Sequence, residues 1–95
     1  MLDFEWDDNK ANINIKKHDI NFEEAKTVFK DFAAYIFEDE KHSIYEKREI
    51  IIGTSIENNL LIVCFTKRIE KIRIISSRLA NKIESKIYEE NKPKY

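Results

Sequence analysis

The chain has 95 residues, 42% of them hydrophobic and 37% charged, with a formal net charge of −1. That is enough for one domain with a small core, and the single cysteine excludes an internal disulfide framework or a cysteine-based metal site. No stretch approaches the roughly 20 apolar residues that span a bilayer, and the acidic start Met1–Asp8 does not read as a signal peptide, so a cytoplasmic protein without membrane contact is the expectation.

The charge is divided unevenly. Residues 1–45 carry 11 acids and 6 bases (−5), whereas residues 46–95 carry 7 acids and 11 bases (+4). A polyanion would therefore dock on the second half. The plainer alternative is that the halves neutralise each other in the fold.

Phe4-Glu-Trp6 has the pattern of a short strand, which the four strands counted below leave out. Asp7 and Asp8 predict the start of a helix over about Asp8–Lys17, because carboxylates favour a helix N-terminus. Asp19 falls where a left-handed residue would end it. Asn21 and Glu24 have capping-box spacing, and Phe22, Ala25, Val28 and Phe29 share one face of a second helix that ends at Asp31. Phe32–Phe37 reads as a strand, followed by a polar loop over Glu38–Ser43. Lys47–Thr54 reads as the next strand, with Ile50–Ile52 buried on both sides. Glu57-Asn58-Asn59 is a hairpin turn. Leu60–Thr66 and Glu70–Ser76 complete an antiparallel meander. Ser76 or Ser77 is expected to cap a last helix over Arg78–Glu90, with Leu79, Ala80, Ile83 and Ile87 inward and Arg78, Lys82 and Lys86 as a basic flank. Residues 91–95 read as a frayed tail. The whole chain, 1–95, is thus one α+β domain with two N-terminal helices, a four-stranded antiparallel sheet and a C-terminal helix. Its helices lie on one sheet face, and the other face is free to bind.

The most informative stretch is Lys67–Arg78, with five bases and one acid. A strand that buries Ile72 and Ile74 turns Lys71 and Arg73 to the other face. The following turn brings Arg78 near them. Guanidinium groups on a rigid platform suit a phosphate. Cys64, within the apolar run Leu60–Phe65, reads as a small core residue. Trp6, Tyr35, Phe37 and Phe65 could stack nucleobases, but a core this small needs most of them, and none is assigned to RNA. No His or carboxylate pair has metal-ligand spacing, and there is no glycine-rich phosphate loop, so neither metal nor cofactor is expected.

Several fragments, in order, resemble the BrnT toxins of bacterial toxin–antitoxin systems over nearly the whole length. They are Phe4-Glu-Trp-Asp7, Lys17-His18, Phe22-Glu-Glu-Ala25 with Val28-Phe29 and Asp31, Glu46 and Arg48 before Gly53, and Arg73-Ile-Ile-Ser-Ser-Arg-Leu-Ala80 with Glu84 and Tyr88. The chain departs at Asp19, where the family usually has Gly, and at Ser77, where it usually has Ala. The resemblance implies a RelE-like fold and a metal-independent endoribonuclease that acts as a growth-inhibiting toxin. It also implies an inhibiting ribbon-helix-helix antitoxin similar to BrnA, through which alone operator DNA would be bound.

RNA cleavage by its own 2′-hydroxyl needs a base, cations around the phosphate and an acid for the leaving oxygen. Arg73 and Arg78 are the candidates for the phosphate clamp. The plainer reading pairs Arg73 with Glu49 and Arg78 with Glu84. Arg48 is a further candidate, or a partner of Glu46 or of Asp39 and Glu40. For proton transfer the candidates are His18 (otherwise a helix cap), Lys67, because a lysine crowded by other cations can act as a base, and Glu84, which could instead orient an arginine. His42 reads as merely exposed in an acidic loop. Arg68, Lys71, Lys82 and Tyr88 are candidate RNA contacts, although Tyr88 could simply fill the groove. The rival function is a non-catalytic module using the same basic face for nucleic acid or an acidic protein. A third is a purely structural subunit.

Overall fold

The computed structural model describes residues 2–93. Its strands are β1 (Asp3–Glu5), β2 (Tyr35–Glu38), β3 (Arg48–Thr54), β4 (Leu60–Lys67) and β5 (Lys71–Leu79), and its helices are α1 (Asp8–His18), α2 (Phe22–Ala25) and α3 (Lys82–Asn91). One sheet holds all five strands in the order β1-β5-β4-β3-β2. β2 to β5 form the expected meander. The four-stranded antiparallel expectation is corrected by β1, which pairs parallel with β5 through Asp3–Lys71, Phe4–Ile72 and Glu5–Arg73. Three residues give too little alternation to be counted as a strand, and the partner lies 68 positions away.

The local start and stop signals act largely as their chemistry dictates. Asp7 accepts the Lys10 N–H, and Asp19 ends α1 at φ 56°. Asn58 takes φ 66° in the β3–β4 turn. Asn21 caps α2 by accepting the Glu24 N–H, but the Glu24 carboxylate does not return to the cap. It accepts from Ser55 Oγ at 2.6 Å and Asn59 Nδ2 at 2.8 Å, which ties α2 to the hairpin.

The second helix is shorter than expected: after one α-turn the chain tightens to a 3₁₀ helix over Lys26–Lys30. Thr27 explains part of this. It is β-branched, its hydroxyl donates to the Glu24 carbonyl, and it accepts the Ile56 N–H. Asp31 then delays β2, because its carboxylate accepts the Ala33 N–H and its carbonyl the Ala34 N–H. Phe32 is left fully exposed in that turn.

The last helix also starts later. Arg78 and Leu79 belong to β5, and neither Ser76 nor Ser77 is a cap. Asn81 caps α3 with a complete capping box to Glu84. Ser77 is held in strand geometry by Asn14 of α1, whose side chain accepts the Ser77 N–H and donates to the Ser77 carbonyl. Of the expected inner stripe, Ala80 and Ile87 pack inward, whereas Leu79 and Ile83 are exposed. The helix continues through Asn91, so the expected tail begins later, and its residues 94–95 lie outside the described residues.

The helices occupy both sheet faces. Phe22, Ala25 and Val28 pack on Ile51, Leu61, Val63, Phe65, Ile72 and Ile74. Phe29 links Phe4 and Phe65 at ring separations of 5.2 and 5.0 Å. On the opposite face α3 covers Ile52 and Ile62 with Tyr88 and Ile87. The face expected to be free is therefore half closed. The closure is pinned by polar contacts: Tyr88 Oη donates to Asp31 Oδ2 at 2.6 Å and accepts from Thr54 Oγ1 at 3.2 Å, while the Thr54 N–H donates to the same carboxylate oxygen.

Burial pushes the Asp31 carboxyl toward its neutral form, but donors from Thr54, Tyr88 and Ala33 outweigh that and lower its pKa. A lowered folded pKa means that Asp31 contributes stability above its unfolded value, near 3.9, and that this is lost as pH falls through the folded value. Asp31→Asn should unfold at lower urea near pH 7 and show a flatter, not absent, acid limb, since the Glu24 and Glu84 pKa values are lowered too. An unchanged acid limb would refute the clasp. At Gly53 an added Cβ would lie 3.1 Å from Val28 Cβ and 3.2 Å from the Val28 carbonyl oxygen. Gly53→Val should cost about 1–3 kcal/mol in urea unfolding.

Candidate active site

Three cross-strand rows describe the face that α3 half covers. Glu5, Arg73, Thr66 and Arg48 form the row at the far end from α3. Ser76, Cys64, Ile50 and Phe37 form the middle row, and Arg78, Ile62, Ile52 and Tyr35 the row beside α3. Residues paired across strands point to the same side. Arg48 and Arg73 thus flank Thr66, rooted about 10 Å apart across two strand spacings.

Arg73 and Arg78 share this face through an irregularity. Five residues separate them, and a regular strand would send them to opposite faces. The register steps from Cys64–Ser76 to Phe65–Ile74, leaving Ile75 as a bulge, and parity is restored. Along the strand they are rooted about 15 Å apart. They do not converge on one phosphate through a strand-to-helix turn, as the sequence suggests; Arg48 is the nearer companion of Arg73.

The three arginines differ in what holds them. Arg73 Nη1 contacts Glu5 Oε2 at 3.0 Å; a guanidinium has five donors, so most remain free. Glu49, its expected partner, lies 3.6 Å from Lys67 instead. Arg78 makes the expected contact with Glu84, at 2.7 Å through both nitrogens, and its Nη1 also donates to the Leu79 carbonyl. That pair holds the Glu84 pKa below its usual value and raises that of Arg78. Arg48 makes no ion pair among the described residues, and its Nε is buried without a hydrogen-bond partner.

The remaining candidates scatter. His18 ends α1, on the opposite layer from the arginines. Lys67 ends β4 and is exposed. Arg68 follows it in the β4–β5 turn and reaches Glu46 at 3.4 Å. Lys71 is exposed at the start of β5, and Lys82 in the first turn of α3. Glu84 is occupied by Arg78 and by the cap. Tyr88 is buried and tied to Asp31; burial, then Asp31, pushes its phenol pKa up. Cys64 is half-buried on the middle row, and burial raises its thiol pKa. Among the described residues no group of three His, Cys, Asp or Glu side chains is placed to hold a metal ion.

Sequence reasoning left two features unassigned. Glu5 was visible within Phe4-Glu-Trp-Asp7, but only the parallel pairing reveals its partner. The loop between β2 and β3 folds beside Arg48, and a cavity of about 330 Å³ there is lined by Lys41, His42, Ile44, Tyr45, Glu46 and Arg48. His42 Nδ1 lies 2.9 Å from Asp39 Oδ2. The Asp39–His42 spacing of one helical turn was the available signal.

Residues 6–84 match the family model described as the ribonuclease toxin BrnT of type II toxin–antitoxin systems. The fold is similar to the crystal structure of the Brucella abortus ribonuclease toxin BrnT, with a TM-score of 0.65 and 22% identity over 86% of this chain and 100% of that chain. A search of curated proteins gives no match. The span of the family match, most of the chain with Arg48, Arg73 and Arg78 inside it, places this protein in the BrnT family of ribonuclease toxins of type II toxin–antitoxin systems.

Proposed function

We propose that this protein is an endoribonuclease that cleaves RNA through the adjacent 2′-hydroxyl without a metal ion, as a single domain spanning the chain. Arg48 and Arg73 hold the scissile phosphate as negative charge builds on it. The observation that carries this reading is the row Arg48–Thr66–Arg73 on the uncovered half of the sheet face, with Arg48 lacking any carboxylate partner among the described residues. Arg73, held by Glu5, is already in place and needs little reorganisation when the charge develops. Glu5 positions Arg73. Arg78 mainly docks α3 through Glu84 and offers its remaining donor capacity to a neighbouring phosphate.

The exposed bases Arg68, Lys71 and Lys82 extend the surface along which an RNA strand would lie, their role being long-range attraction. A RelE-like architecture fits the sheet with helices on both faces. The cognate antitoxin, of the ribbon-helix-helix type, inhibits by covering the arginine face, and operator DNA is contacted through it. The cytoplasm is where such a pair would act.

Purified protein with RNA and EDTA should yield discrete products carrying 2′,3′-cyclic phosphate ends. Arg48→Ala and Arg73→Ala should each slow cleavage about a hundredfold with unchanged circular dichroism. Arg78→Ala should cost more in thermal stability than in rate. RNA binding without products would favour the non-catalytic module, and cleavage only on adding a divalent metal would overturn the metal-free mechanism.

A further inference from the structure

We propose that His42 is the proton-transfer residue of this ribonuclease, its imidazole held by Asp39 at the cavity that also contains Arg48. The proposal rests on the ribonuclease reading above and supplies the group that reading lacks.

The geometry begins with the loop itself. The Asp39 N–H donates to the Arg48 carbonyl at 2.9 Å, Ser43 Oγ donates to the Asp39 carbonyl at 2.7 Å, and the Arg48 N–H donates to Ser43 Oγ at 3.0 Å. Asp39, the 3₁₀ turn over Glu40–His42 and the first residue of β3 are therefore one hydrogen-bonded unit. The His42 side chain is 62% exposed, whereas that of Asp39 is 16% exposed. Asp39 is thus fixed through its backbone with a largely covered side chain, and the imidazole faces solvent. With Nδ1 donating to Asp39, Nε2 is left as an acceptor.

The competing groups are engaged elsewhere or wrongly placed. His18 is on the other layer, Glu84 is held by Arg78, and Tyr88 is held by Asp31. The chain has two histidines, and His42 is the one that lines a cavity with a phosphate-holding candidate. The charged groups around it are Asp39, Glu40, Lys41 and Glu46 of its own loop and Arg48 of β3; Arg68 reaches Glu46 from the β4–β5 turn. The Tyr45 ring, fully exposed at the same cavity, is available to stack on a base.

In the reaction, Nε2 takes the proton of the 2′-hydroxyl as the 2′ oxygen bonds to phosphorus. The bond from phosphorus to the 5′ oxygen breaks, and that oxygen takes a proton from water. The products are a 2′,3′-cyclic phosphate and a 5′-hydroxyl, and the imidazolium returns its proton to solvent. Arg48 faces the charge on the non-bridging oxygens.

Single-turnover cleavage of a short RNA by the full chain, measured from about pH 5 to about pH 9 across the imidazole range, tests this. Binding of the same RNA with 2′-O-methyl groups, which cannot react, is measured beside it. Wild-type cleavage should rise with pH through one ionisation and then level. His42→Asn should lose about a hundredfold or more in rate and lose that limb, with 2′-O-methyl RNA bound as tightly as before. Asp39→Asn should lower the rate with 2′-O-methyl RNA bound as tightly as before, since the imidazole loses the carboxylate that orients it. His42→Asn with the wild-type rate and profile would overturn the assignment while leaving the ribonuclease reading standing. Failure of the wild type itself to cleave would overturn both.

Discussion

The odd spacing between Arg73 and Arg78 would, in a regular strand, put one guanidinium into the α1–α2 core. That core is closed: Ile72 and Ile74 on β5 are already buried in it, and Asn14 grips both backbone groups of Ser77. The extra residue at Ile75 lets the strand keep its buried residues on both sides of the bulge while turning both arginines outward. Without it, β5 would either bury an arginine or lose its register with β4. The alignment of Arg73 and Arg78 with the rows of this face follows from this adjustment, because β5 lies between β1 and β4.

Ion pairing on this face does not simply cancel the cations. A single carboxylate oxygen on Arg73 restricts the side chain and leaves donors free. A bidentate partner plus a carbonyl on Arg78 uses most of what that group has. The difference separates an arginine held ready from an arginine that fastens a helix. Arg48 is the third case: no carboxylate holds it among the described residues, and a buried Nε without an acceptor carries a desolvation cost of about 1–3 kcal/mol.

The sequence made the periodic elements legible because their signals are local. The caps at Asp7 and Asn21, the left-handed Asp19, the Asn58 turn and the three meander strands all follow from neighbours a few residues apart. What stayed hidden depends on distant partners. Glu5 meets Arg73 across 68 residues, Asn14 holds Ser77 across 63, and Tyr88 reaches Asp31 across 57. Ser76-Ser77-Arg78 looks like a helix start in isolation, and pairing with β4 together with the contact with Asn14 keeps it extended. The same holds for the site. The arginines were legible as a basic cluster, but their grouping was not, because pairing with Thr66 brings Arg48 to Arg73. His42 in an acidic loop looks idle until the loop is seen closing on Arg48.

The uneven charge of the two halves resolves in the same terms. Within the second half, Lys67–Glu49, Arg68–Glu46, Arg78–Glu84 and Lys92–Glu89 pair base with acid. Among the described residues only Arg73–Glu5 and Lys47–Glu38 join the halves. The acids of the first half are therefore not drawn onto the basic strands to neutralise them; Glu24, for example, faces Ser55 and Asn59. Arg48, Lys71, Lys82 and Lys86 make no ion pair among the described residues, and three of them lie in the segment running from β5 into α3. Exposed pairs add little to stability, and unpaired bases add less. Their cumulative effect is instead a local positive potential in a chain whose net charge is negative. Such a potential would attract a polyanion to that side of the molecule.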